Sequence, residues 1–171
     1  MTAVANAPFT AADFNVYVRD NLLETAAAKA TGVGRYFVAT GPNAIAERQA
    51  GQSTASTELS TTSTNYVELS GGPTVSAVTG TSALVAVTAR ITNSTTGSAS
   101  YASYAVSGAT TVTANDSRGI RIEKAGADYD RVSMVRLATG LTVGTNVFTM
   151  QYRVGAGEGF FSQRELTVVP F

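Results

Sequence analysis

Residues 146–154 read Asn146-Val147-Phe148-Thr149-Met150-Gln151-Tyr152-Arg153-Val154. Phe148, Met150, Tyr152 and Val154 alternate here with Thr149, Gln151 and Arg153, the period-two pattern of a strand with one face on a core and one in water. The same alternation runs through Val85, Val87, Ala89 and Ile91. Working outward, runs of strand character lie at 66–69, 74–78, 83–91, 99–106, 120–123, 132–137, 146–154 and 160–169, and their separators hold Gly, Asn, Asp, Ser or Pro. About eight strands in roughly a hundred residues, with no helical period between them, indicate antiparallel sheets packed face to face. A jelly roll is the expected arrangement, and an immunoglobulin-like sandwich is the alternative, without the cysteines and tryptophan of true immunoglobulin domains.

The N-terminal third reads differently. Thr10 is placed to cap a helix, Asp13 to complete a capping box three residues on, and Phe9 to staple onto Phe14. Phe14, Val18 and Leu22 then recur at i+4, flanked by Tyr17 and Leu23, which predicts one amphipathic helix over about 11–29. The run Thr31-Gly32-Val33-Gly34 stops it. Short strands are expected at 35–39 and 44–48 around the turn signal Thr40-Gly41-Pro42-Asn43. From 50 to 65 the chain is Gly, Gln, Ser, Thr and Ala with little pattern, so a linker is expected there, dividing an arm (1–60) from a β-sandwich domain (61–171).

Composition closes several routes to function. The 171 residues include no cysteine and no histidine, which removes disulfides, thiolate chemistry, the commonest general base and the commonest transition-metal ligand. Lysine plus arginine and aspartate plus glutamate number 12 each, so no basic field draws nucleic acid or an anionic membrane, and neither is an expected partner. No stretch has the length of a membrane span, and the first residues lack a signal-peptide pattern, so export by that route is not expected. Charged residues make up 14%, against roughly 25% in ordinary soluble domains, and a charge-poor surface at zero net charge favours association into an assembly.

Candidate chemistry is thin. Asp128, Asp130 and Asp116 lack the spacing of a calcium loop, so no metal is expected. Glu158 and Glu165 have no motif that fixes them as a catalytic pair. Gly155-Ala156-Gly157-Glu158-Gly159 joins two strands and reads as a hairpin loop, not a phosphate cradle. A nucleophilic serine would need a lysine base, and Lys29 and Lys124 are the lysines available. No catalytic residue, cofactor or enzymatic activity is expected. Two surfaces remain as candidates: the helix, with Phe9, Phe14, Val18, Leu22 and Leu23 as an assembly anchor, and the Tyr101-Ala102-Ser103-Tyr104 strand, one of whose tyrosines is expected to face outward toward a sugar or a partner chain.

Two stretches also look familiar. Pro8-Phe9-Thr10-Ala11-Ala12-Asp13-Phe14-Asn15, followed by Val18-Arg19-Asp20-Asn21-Leu22-Leu23-Glu24, resembles an opening found in many virion proteins of tailed bacteriophages, especially those infecting actinobacteria. The sequence from Leu141 through Arg153 and then Arg164-Glu165-Leu166-Thr167-Val168-Val169-Pro170 is similar to the closing strands of the same group. The resemblance implies a structural role, described in that group as minor tail protein, fibre or head decoration. It further implies a compact jelly roll like those of the tumour-necrosis-factor and complement type, often trimeric, displayed on the particle by an N-terminal anchor. Expected partners are therefore other virion proteins, further copies of the chain and, where the sandwich acts as a carbohydrate-binding module, a host cell-surface glycan.

Overall fold

The computed structural model describes residues 8, 10–23 and 29–171. Two compact units divide the chain, Met1–Glu47 and Arg48–Phe171.

In the first unit the capping box forms as the sequence predicts. The Asp13 amide donates to Thr10 Oγ1 at 3.2 Å, and the Thr10 hydroxyl at 2.6 Å and then its amide at 3.0 Å donate to Asp13 Oδ2, holding that carboxyl below the usual carboxylate range. Helix α1 (Ala11–Phe14) starts there and α2 (Asp20–Leu23) continues it, but the residues between, Asn15–Arg19, are π-helical. The i+4 pattern predicts an uninterrupted α-helix; instead the Asp20 amide bonds back to the Asn15 carbonyl, which widens the turn under Val18. Strands β1 (Tyr36–Gly41) and β2 (Ala44–Arg48) pair as a two-stranded sheet across Pro42 and Asn43, the latter at φ 55°. Glu47 ties the preceding segment to this hairpin, accepting from the Thr31 amide at 2.7 Å and from Arg35 at 3.1 Å.

The second unit is an antiparallel jelly-roll sandwich. Its strands are β3 (Gly51–Ala55), β4 (Leu59–Thr61), β5 (Thr74–Thr79), β6 (Ser82–Asn93), β7 (Ser100–Gly108), β8 (Ile120–Ile122), β9 (Asp130–Thr139), β10 (Gly144–Val154) and β11 (Gly159–Pro170). One sheet runs β5-β10-β7-β8 and the other β3-β11-β6-β9, with β4 also on β11. Consecutive strands β9, β10 and β11 alternate between the sheets, and β10 and β11 each lie between strands remote in sequence, the interleaving of a jelly roll. The core lies between the sheets, where the inward residues of β6 (Val85, Val87, Ala89, Ile91) meet those of β10 (Phe148, Met150, Tyr152), all fully buried. Tyr152 packs on Phe161 at 4.8 Å between ring centroids and Tyr104 on Phe148 at 6.1 Å.

Three stretches differ from the sequence reading. Residues 50–65, expected as a linker, supply β3 and β4, which extend the sheet through pairs such as Leu166 with Ser53 and Phe161 with Leu59. These are short, hydroxyl-rich segments beside β11, so they gain order from its backbone and carry no apolar alternation of their own. Residues 66–69, expected as a strand, contribute an isolated bridge from Val67 to Tyr152. Finally, β11 alternates out of phase along its length because a bulge between Ser162 and Glu165, with Gln163 at φ 45°, shifts the register against β6. Phe161 points inward before the bulge and Arg164, Leu166 and Val168 after it, so Arg164 is drawn into the interior beside the Tyr152 ring.

Candidate functional site

Period two places Tyr101 and Tyr104, three residues apart on β7, on opposite faces. Tyr104 pairs with Met150 across the sheet, turns inward and is 1% exposed, so it is not a surface contact; this corrects its place among the candidates. Tyr101, opposite Arg153 and Arg121, lies on the outer face of the four-stranded sheet.

Around Tyr101 the structure assembles a cluster that no local motif announces. The Arg153 guanidinium carbon lies 3.7 Å from the Tyr101 ring centroid and 5.6 Å from that of Tyr66. Its Nε and Nη2 donate to both oxygens of Asp116 at 2.9 and 2.5 Å, and the Tyr66 hydroxyl donates to the same carboxylate at 3.0 Å. Arg121 Nε donates to the Tyr101 hydroxyl at 3.2 Å and pairs with Glu123. The Arg153 bonds hold Asp116 well below the usual carboxylate range, while burial, then the neighbouring carboxylate, push the Tyr66 hydroxyl up. An open cleft of about 520 Å³ runs beside the cluster, lined by Tyr66, Asn115, Asp116, Ser117 and Arg153 among others. Because the Arg153 guanidinium lies over the Tyr101 ring, that ring face is not free to stack on a sugar. Chemically the cluster is a clamp that fastens the segments around Tyr66 and Asp116 onto β7 and β10.

The opposite outer face, on the five-stranded sheet, carries an apolar row at one end and the Arg131–Glu165 ion pair further along. Leu84 of β6 stands beside Leu137 of β9, and Ala86 beside Val135. Leu84, Val135 and Leu137 are 37%, 60% and 50% exposed. Val169 of β11 pairs with Leu84 and extends the patch across the sheet. Sequence analysis does not single these residues out, since an edge strand with apolar residues on both faces reads simply as buried; the outward row emerges only from the register.

Of the helix candidates, Phe14 and Leu22 are 49% and 61% exposed and Val18 is half-buried. Leu23 belongs to α2, and Phe9 lies outside the described residues. Among the described residues no group of three or more acidic side chains could hold a metal ion, and no helix is long and apolar enough to cross a membrane.

No protein-family model matches the chain, and no curated protein matches it. Solved structures share its fold. A chain of infectious bursal disease virus, Gt strain, is 14% identical with a TM-score of 0.50; the match covers 83% of this chain and 41% of that one, so this chain spans less than half the length of that relative. The Eiger TNF of S. frugiperda is 10% identical with a TM-score of 0.43, over 72% of this chain and 92% of that one. The CBM22-1 xylan-binding domain of Paenibacillus barcinonensis Xyn10C is 11% identical with a TM-score of 0.32, over 83% and 85%.

Proposed function

We propose that this chain is a non-enzymatic structural subunit of a tailed-bacteriophage virion, a minor tail component held by its N-terminal helix, whose jelly roll self-associates as a trimer. The observation that carries the reading is the apolar row of Leu84, Val135 and Leu137 on the outer face of the five-stranded sheet. Apolar area covered by another subunit is worth about 25 cal/mol per Å², whereas the same row in water is an aggregation hazard. A chain with only 14% charged residues and no net charge supports the same conclusion, because it carries no net repulsion against a second copy. The resemblance of the opening and closing segments to tailed-phage virion proteins supplies the particle, and the fold shared with a viral chain is consistent with it.

Light scattering on the intact protein is expected to give the mass of three chains, and Leu137→Lys, at a half-exposed position, to give a folded monomer. A monomeric wild type would remove the self-association and leave a subunit organised by the particle. Immunogold labelling of intact particles is expected to mark the tail. Label confined to heads would replace the tail role with capsid decoration or a head fibre, and unlabelled particles would sink the virion reading.

A further inference from the structure

The sandwich opens between β9 and the segment leading into β8, and there a small cavity of about 90 Å³ is lined by Tyr104, Arg118, Arg136 and Thr139, with Val106 and Val112 among its apolar neighbours. The polar groups on its wall are mismatched. Arg118 donates to the Thr113 carbonyl and Arg136 to the Ser117 carbonyl, contacts that fix both guanidinium groups. Neither arginine forms an ion pair among the described residues, and no carboxylate lines the cavity. Arg118 Nε and the Tyr104 hydroxyl are both buried without a hydrogen-bond partner. Tyr104, Arg118 and Arg136 line the same cavity; burial pushes the Tyr104 hydroxyl up and the two cations pull it back.

Arginine cannot shed its proton, so the half-buried charge of Arg118 and the solvent-exposed charge of Arg136 face two orphaned donors, with no carboxylate among the lining residues. Water could bond the donors; an oxyanion bonds them and also meets the half-buried charge of Arg118, with Arg136 at the open side. The volume is right for a group of a few heavy atoms, given about 30 Å³ for each water-sized unit. We propose that this cavity binds a small oxyanion, a carboxylate or phosphate group, held between the guanidinium groups of Arg118 and Arg136 with the Tyr104 hydroxyl as a third donor. The site is independent of where the protein resides in a particle.

Calorimetric titration of the intact protein with inorganic phosphate, and separately with acetate, at an ionic strength fixed by chloride, tests this. One anion per chain is expected to bind saturably, and the tighter of the two identifies the chemistry of the natural ligand. Tyr104→Phe keeps the ring against Phe148 and removes the hydroxyl alone, so it should fold and weaken binding by about tenfold or more, as expected for a hydrogen bond to a charged group. Arg136→Gln should weaken binding at least as much, while Arg131→Gln, on the outer face of the same strand, should leave it unchanged. No saturable binding of either anion, or equal affinity in wild type and Tyr104→Phe, would overturn the proposal.

Discussion

Asn146 sits on β10 among the core residues, fully buried, at the point where β5, β10 and two loops meet. Its Nδ2 donates to Thr79 Oγ1 at 2.8 Å and to the Thr142 carbonyl at 3.0 Å, and its Oδ1 accepts from the Thr110 amide at 2.8 Å. Asn146→Ala deletes all three bonds. Thr79 is itself fully buried, so the loss there costs about 1–3 kcal/mol; Thr110 and Thr142 lie nearer solvent, where water returns, and cost about 0.5–1 kcal/mol each. The expected loss is about 3 kcal/mol, a large share of a typical domain stability of about 5–15 kcal/mol. Urea unfolding followed by tyrosine near-ultraviolet circular dichroism reads it, since the chain has no tryptophan. Asn146→Asp separates hydrogen bonding from packing: the shape is kept, but a carboxylate oxygen replaces the donor facing the Thr142 carbonyl. Burial without that donor should raise the folded-state pKa of the new carboxyl, so the protonated form, which can donate again, stabilises the variant below about pH 4, and the stability falls as pH rises through the raised value. A loss under about 1 kcal/mol for the alanine variant, or a pH-independent aspartate variant, would refute the account of Asn146 as a buried hydrogen-bond hub.

Two further outcomes follow from the geometry. Asp116 is held below the usual carboxylate range, chiefly by Arg153, so its stabilising contribution is present above the unfolded value near pH 4 and is lost as pH falls through the folded one. Asp116→Asn should flatten that acid limb, by less than about 1 kcal/mol because the carboxylate is 54% exposed, as read from unfolding midpoints between about pH 2 and 6. Gly108 adopts φ 94° and a Cβ there would stand 2.5 Å from the Thr145 carbonyl oxygen, which already accepts from the Ala109 amide, so Gly108→Ala should cost about 2–3 kcal/mol in the same urea assay.

The candidate sites were less legible than the fold. That one tyrosine of the 101–104 pair faces outward follows from period two, but which one depends on the β7–β10 register that sets Tyr104 against Met150 and Tyr101 against Arg153. The clamp joins Tyr66, Asp116 and Arg153, and the anion cavity joins Tyr104, Arg118 and Arg136; no spacing in the chain connects such residues. The π-helical turn at Asn15–Arg19 was equally silent, because the i+4 apolar spacing that predicts the helix does not report a carbonyl shared one residue further on.

By itself the sequence determined the elements whose signal is local. The alternation of β6 and β10, the capping box at Thr10 and Asp13, and the turn around Pro42 each need only neighbours in the chain, and each stands where it was read. Tertiary structure decided everything that depends on pairing between distant segments. Polar residues 51–55 become a strand because β11 offers them a backbone, Arg164 turns inward because a bulge resets its phase, and Leu84, Val135 and Leu137 form one row because β6 and β9 align them. A strand's period says that its side chains alternate; only the partner strand fixes which of its two faces meets the core.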